Sequence, residues 1–327
     1  MQYQRLGRSG LRVSSYGLGT MNMGTQLNLA ASRRLLDAAL DGGINLIDVA
    51  EMYPAPDDPK LTGKSEEIVG TWLKGKPRDA VILATKISGA NRAEFGDIVP
   101  HIRGGFNALD WHHFAAACDA SLKRLKTDYI DLYQTHWPDR HVPIEAQLEA
   151  FDRLIDAGKV RYAGVSNETP WGLTRLVALA ETTGLPRIVS LQNQYNLLSR
   201  QYDQGMSEVC ERESVGMMAF SPLAQGALSG KYSGGKFAKG TRFADLDYAR
   251  QRFGSTEMLD RADRYVAVAK RHGLDPAAMA MAWVQSRPGV ATVLTSCSRI
   301  AQLENVLEHA DLVLGDDVLA DLDAATA

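Results

Sequence analysis

The sequence predicts an α/β protein, a (β/α)8 TIM barrel with a short N-terminal β-hairpin and long loops at the C-terminal face. Three observations predict it. Strand-like and helix-like runs alternate eight times along the 327 residues, and a helical crossover is what returns a chain to start a parallel neighbour. The length suits eight such units, which take roughly 250 residues or more. Glycines stand where helical runs stop, at Gly42-Gly43, Gly158, Gly184 and Gly273, and a left-handed helix end favours glycine.

The elements follow in order. Gln2–Leu6 and Leu11–Ser14 flank Gly7–Gly10 as a hairpin. Ser15–Gly19 reads as the first barrel strand, and Leu35, Leu36, Ala39 and Leu40 give Ala30–Asp41 a helical stripe. Ile44–Val49 is a strand, followed by a helix from about Glu66 to Lys74. Ala80–Thr85 precedes the helix Trp111–Leu125, and Tyr129–Gln134 precedes Ile144–Ala157. Val160–Val165 leads to Trp171–Glu181, and Ile188–Gln192 to Gln204–Glu213. Val215–Phe220 passes through a long loop to Met258–His272 and Ala277–Gln285. Val290–Leu294 closes the set, with Ile300–Glu308 behind it.

Residues 1–327 read as a single barrel domain without a linker or low-complexity segment. An open doubly wound sheet would need an early phosphate-binding loop. Gly17-Leu18-Gly19-Thr20-Met21-Asn22-Met23-Gly24 approaches one, but its third glycine falls two places late for GxGxxG. Two connections, Ser88–Asp110 and Leu223–Thr256, are long. Both follow strand ends, which puts them over the mouth of a barrel.

Composition narrows the function. With 45% hydrophobic and 23% charged residues, the chain is of ordinary globular type. A net charge of −3 without a basic block gives no footprint for nucleic acid. Cys118, Cys210 and Cys297 are scattered and outside metal or redox spacing, as expected in a reducing cytoplasm. The first residues lack a signal-peptide pattern, and no apolar run approaches the ~18 residues of a membrane span. The expectation is a cytoplasmic protein without membrane insertion. Nothing in the sequence sets an oligomeric state.

Four ionisable side chains fall at the ends of three consecutive strands. Asp48 lies near the end of the second strand with Tyr53 just beyond, Lys86 ends the third, and His136 closes the fourth. Singly, each has an ordinary structural explanation; together they describe a chemistry. A phenol with its usual pKa near 10 is a weak acid. A neighbouring ammonium favours the phenolate and draws that value down, while a carboxylate keeps the ammonium charged and aimed. A histidine beside them orients a carbonyl by hydrogen bonding. Such a set reduces a carbonyl, with Tyr53 protonating the oxygen. None of these side chains supplies hydride, so a redox cofactor is implied.

This tetrad, Asp48, Tyr53, Lys86 and His136, resembles that of the aldo-keto reductases. The surrounding strings resemble that family too: Gly-Ile-Asn-Leu-Ile-Asp-Val-Ala-Glu-Met-Tyr (43–53), Ala-Thr-Lys (84–86) and Gln-Thr-His-Trp-Pro (134–138). So do Gly-Lys-Val-Arg-Tyr-Ala-Gly-Val-Ser-Asn (158–167) and Phe-Ser-Pro-Leu-Ala-Gln-Gly-Ala-Leu-Ser-Gly-Lys-Tyr (220–232). The likeness runs from residue 3 to about 320. Tyr3–Thr20 and Asn45–Pro54 resemble the bacterial Tas-type branch, which is similar to potassium-channel β subunits.

The resemblance implies a nicotinamide dinucleotide and a set of contacts for it. Ser166, Asn167 and Gln192 match the residues that hold the carboxamide, and Phe220 the aromatic against the nicotinamide ring. Thr20, Met21 and Asp48 match residues beside the nicotinamide ribose. Ser221, Leu223, Gln225, Gly226 and Lys231 match the loop over the pyrophosphate, with Arg242 a basic contact farther along. Ser298, Arg299 and Gln302 fall in the segment that grips the adenosine end. The order of aromatic face, amides and cations suits an extended dinucleotide. Two departures fall in the adenosine segment: Ser296 stands where the family commonly has glycine, and Val306 where it has asparagine, with Asn305 one place earlier. Arg299 as a partner for a 2′-phosphate favours NADPH, with NADH not excluded.

The substrate expected is a small carbonyl compound, with Met52, Trp111 and Trp137 as apolar pocket candidates. His112 and His113 are adjacent and point about 100° apart on a helix, so they do not clasp one metal. Two other readings use the same residues. In one, the likeness to channel subunits implies a pyridine-nucleotide sensor with slow turnover, against which stand the complete tetrad and the lack of an extension before the barrel. In the other, Lys86 forms a Schiff base, which requires a desolvated neutral lysine that Asp48 opposes.

Overall fold

Eight parallel strands close on themselves in a computed structural model that describes residues 1–56, 58–90, 102–105 and 107–325. The strands are β3 (Tyr16–Gly19), β4 (Leu46–Asp48), β5 (Ile82–Ile87), β6 (Ile130–Thr135), β7 (Val160–Ser166), β8 (Ile188–Gln194), β9 (Gly216–Phe220) and β10 (Val290–Thr295). They pair in chain order, and β10 returns to pair with β3 through Val293 opposite Tyr16. Before them, β1 (Tyr3–Arg5) and β2 (Arg12–Ser14) form the expected antiparallel hairpin.

Helices α1 (Leu29–Asp41), α2 (Lys64–Leu73), α3 (Trp111–Leu125), α4 (Ile144–Asp156), α5 (Pro170–Thr183) and α6 (Met206–Glu213) follow the strands in turn. Local chemistry sets their limits. Asn28 caps α1 by accepting from Ala31, and Asp110 caps α3 by accepting from His113. Gly184 ends α5 with φ 75°, a left-handed value glycine adopts without strain. Gly42, by contrast, caps α1 at φ −78°, and Gly43 after it takes the left-handed turn.

The expected long loop between Leu223 and Thr256 contains two short helices, α7 (Arg242–Asp245) and α8 (Asp247–Phe253). Their charged sequences are too brief to show an apolar period. α9 (Thr256–Arg271), α10 (Pro276–Gln285) and α11 (Ile300–Glu308) agree with the sequence reading, and α12 (Asp316–Ala324) adds to it. The other long loop, Ser88–Asp110, lies partly outside the described residues.

The period-two alternation of the strands sorts the interior. Leu83 and Ile87 of β5, Tyr133 of β6 and Met217 of β9 face outward into the layer shared with the helices. Leu46, Ala84, Leu132 and Met218 face inward and meet Leu6, Leu11 and Val13 of the hairpin, which stopper the base. Two residues farther along three of these strands the inward positions become Asp48, Lys86 and Gln134. One parity rule therefore yields an apolar floor and a polar upper chamber. All three cysteines are buried and free. Among the described residues, no helix is long and apolar enough to cross a membrane.

Candidate active site

Asp48 is the last residue of β4, and Lys86 is the penultimate residue of β5. Lys86 Nζ donates to Asp48 Oδ2 at 2.6 Å and to the carbonyl of Val49 at 2.9 Å. The lysine is 0% exposed and the aspartate 2%. The other oxygen of Asp48, Oδ1, accepts from Gln192 Nε2 at 2.8 Å and Gln134 Nε2 at 3.3 Å. Gln134 was not expected from the sequence, where one glutamine in a strand is uninformative. Its inward parity with Leu132 is the signal that finds it.

Tyr53, beyond the strand, places its ring 4.9 Å from Lys86 Nζ. His136 stands just after β6 rather than within it, with its backbone N–H donating to the Ile87 carbonyl at 2.8 Å. Its ring meets Tyr53 edge-on at 5.7 Å and leans on Trp137 at 4.9 Å. The four residues of the expected tetrad are thus brought together.

The electrostatics correct one expectation. Burial pushes the Tyr53 phenol above its usual value, and the pull of Lys86 in the opposite direction does not overcome it. Nearby Asp48 adds to the rise. Burial draws the Lys86 ammonium down, but Asp48 and Tyr53 outweigh it and its pKa is raised. Sequence supplied the lysine's sign but not the burial.

The remaining predicted positions separate into groups. Thr20 is buried and its hydroxyl donates to the Asp48 carbonyl at 3.0 Å, and Met21 follows it. Ser166 ends β7, opposite Gln192 inside β8, and its hydroxyl donates to the Gln192 carbonyl at 2.7 Å. Asn167 takes φ 54° and donates Nδ2 to the His136 carbonyl at 2.9 Å. Phe220 ends β9. Beyond it Ser221, Ala224, Gln225 and Gly226 all have positive φ, and Leu223 turns the chain between them.

A Cβ on Gly226 would lie 2.5 Å from Lys231 Nζ, so the glycine permits the lysine's approach. Desolvation, with Arg242 and Arg299 nearby, pulls Lys231 down to about 8. Arg242 donates to Gln225 Oε1 at 2.7 Å. Ser298 donates its N–H to Gln302 at 2.8 Å, and Ser296 donates its hydroxyl to the Gly19 carbonyl at 3.0 Å. Val306 is buried beside Leu303 in the helix–barrel layer, whereas Asn305 is partly exposed.

Met52 and Trp137 pack with Ile102 in a small apolar cluster near His136. Trp111 is outside it: 38% exposed at the start of α3, its ring lies 5.2 Å from the Arg153 guanidinium. Sequence reasoning missed the buried pair of Glu51 and Arg103, in which the guanidinium clasps both carboxylate oxygens and donates to the Ser88 carbonyl at 2.8 Å. This pair ties the segment after β5 to the segment between Asp48 and Tyr53. Among the described residues, no three His, Cys, Asp or Glu side chains group as a metal site.

A dinucleotide fits the donors and acceptors present. The carboxamide oxygens of Asn167 and Gln192 make no hydrogen bond among the described residues and can accept from an amide N–H2. Lys231, Arg242 and Arg299 pair with no carboxylate there, leaving positive charge for phosphates.

Comparison with known proteins then decides the family: its model, the aldo/keto reductase family, matches residues 16–327. The chain belongs to the aldo/keto reductase family. It is 42% identical to Protein tas of Escherichia coli (strain K12), across 99% of this chain and 97% of that protein. It is 33% identical to the uncharacterized oxidoreductase YrpG of Bacillus subtilis, covering 98% and 94%. A probable voltage-gated potassium channel subunit beta of Arabidopsis thaliana matches at 30%, covering 96% and 92%. These relatives agree with the Tas-type branch. As an aldo-keto reductase, the protein is an oxidoreductase acting on carbonyl groups, in a family that uses nicotinamide cofactors.

Proposed function

We propose that this protein is an NADPH-dependent reductase of small aldehydes or ketones, with Tyr53 as general acid. The observation that carries the reading is the convergence of Tyr53, Lys86 and His136 around the buried Asp48. Bound NADPH supplies hydride from nicotinamide C4 to the carbonyl carbon. Asn167 and Gln192 hold the carboxamide with Ser166 beside them, and Phe220 covers the ring. His136 orients the carbonyl oxygen toward Tyr53. The phenol, protonated at neutral pH because burial raises its pKa, gives its proton to that oxygen. Lys86, kept charged by Asp48, stabilises the phenolate left behind. Lys231, Arg242 and Arg299 take the phosphates, and Arg299 supports NADPH over NADH. The whole chain acts as one catalytic domain, and a cytoplasmic location suits it.

The Schiff-base reading loses its footing, since a fully buried ammonium at 2.6 Å from a carboxylate is held protonated and is not a nucleophile. The potassium-channel relative supports a second reading, a nucleotide sensor with slow turnover. Fluorescence titration with NADPH and NADH, followed by a carbonyl panel, separates the two. Tyr53→Phe should retain nucleotide binding and lose turnover by roughly 10²–10⁴-fold, the contribution of a general acid. Undiminished kcat in that variant removes Tyr53 from the role.

A further inference from the structure

Tyr53 hangs on a single tight turn. Its N–H donates to the Ala50 carbonyl at 3.0 Å, which leaves Glu51 and Met52 at the corner. Up to that corner the main chain still pairs with β5. The Val49 N–H donates to the Ala84 carbonyl at 2.9 Å, and the Glu51 N–H to the Lys86 carbonyl at 3.3 Å. In a parallel ladder the next bond would run from the Ser88 N–H to the main-chain carbonyl of Glu51. Ser88 donates instead to Glu51 Oε1, at 2.6 Å. The side chain stands in for its own carbonyl, and the main chain can turn Tyr53 toward Lys86.

The carboxylate that does this is 4% exposed. Burying one is costly unless it is paired and hydrogen-bonded. Arg103 meets that need, clasping both oxygens through Nη1 while Nη2 donates to the Ser88 carbonyl at 2.8 Å. Both main-chain groups of Ser88 are thus gripped, its N–H by Glu51 and its carbonyl by Arg103. Arg103 takes φ 47° in this position, a left-handed value uncommon outside glycine. Backbone of that kind persists where its surroundings hold it, often at functional sites.

We propose that Glu51 is a positioning residue for proton transfer, with Arg103 balancing its charge. It pins the corner of the 50–53 turn to the strand that carries Lys86, two residues before Ser88. The pin holds the Tyr53 ring at its 4.9 Å from the Lys86 ammonium. The proposal rests on the carbonyl-reductase reading and adds to it a residue that acts through Tyr53.

The test compares two double variants that both remove the buried charges, Glu51→Met/Arg103→Met and Glu51→Gln/Arg103→Met. Apolar replacement of a buried ion pair at similar volume is often tolerated, and urea unfolding checks it. Glu51→Leu/Arg103→Met stands in should the first double fail to fold. The two doubles differ in the acceptor offered to Ser88, which glutamine keeps and methionine lacks. Both should bind NADPH as the wild type does. The methionine double should lose about 10²-fold in the single-turnover rate of NADPH oxidation by benzaldehyde, the effect of an acid misplaced by about 1 Å. The glutamine double should recover most of that loss. Equal rates in the two would overturn the proposal, as would a loss matched by weaker NADPH binding. Labelling with 3-fluorotyrosine gives a readout independent of turnover. The Tyr53 fluorine resonance, assigned with Tyr53→Phe, should move in the methionine double and return in the glutamine double; a resonance unmoved in both would remove Glu51 from the role. Should the wild type reduce no carbonyl, the reductase reading falls, and the fluorine resonance still decides whether Glu51 places Tyr53.

Discussion

Lys86 Nζ and Asp48 Oδ2 are held 2.6 Å apart where the two side chains are 0% and 3% exposed. The pair is asymmetric. The carboxylate has two further donors in Gln134 and Gln192, whereas the ammonium, among the described residues, has the Val49 carbonyl and the Tyr53 side chain besides. Each partner therefore survives the loss of the other differently.

Asp48→Ala leaves an ammonium buried with neutral neighbours alone, the Val49 carbonyl and Tyr53, and removing one member of such a pair costs about 3–5 kcal/mol. Lys86→Met leaves a carboxylate that still accepts from two amides and should cost less. Urea unfolding of both variants checks the order. Equal losses would mean that the amides do not sustain the lone carboxylate.

Alkali should act on this site only above the ordinary range of its two proton donors. Lys86 and Tyr53 both have folded-state pKa values above their ordinary 10.5 and 10.0. Their stabilising contribution is complete below the unfolded values and is lost as pH rises through the folded ones. Tyrosinate absorbance should show no ionisation of Tyr53 until above pH 10, read as the difference between the wild type and Tyr53→Phe. A component titrating near pH 7 would contradict the burial argument.

Lys231, held down at about 8, should couple nucleotide binding to protons. A phosphate beside it restores the charged form, so binding at pH 8 should take up about half a proton, lost in Lys231→Met. Calorimetry in Tris and in HEPES gives that number from the buffer dependence of the binding heat. Identical heats in the two buffers would separate Lys231 from the phosphates.

Gly226→Ala should impair the same turn without touching the tetrad. The new Cβ meets Lys231 Cε at 2.4 Å on a backbone at φ 101°. Strain of that kind is of order 1–3 kcal/mol. NADPH affinity should fall more than kcat at saturating nucleotide; unchanged affinity would show that the lysine's position is immaterial.

Much of this was legible in the sequence because two periodicities carry it. Alternating strand and helix runs reported the barrel, and strand ends located Asp48, Lys86 and His136. What escaped depended on contacts between distant segments. Arg103 meets Glu51 from a separate loop, and either residue alone reads as an ordinary surface charge. Helix α8 has seven residues, too short for an apolar period. The net rise in the Tyr53 pKa needed burial, which residue order does not record.

The pairing of β10 with β3 has a consequence for how the molecule is made. On a ribosome β3 emerges early, while its second neighbour appears only after residue 289 has been synthesised. Through all that time the strand has a bare edge, and an unpaired edge invites pairing with another chain. The nascent protein is an unfinished hoop that gains protection only when its final stave arrives. Chains stalled at residue 285 should bind chaperones and yield to protease; released full-length chains should not.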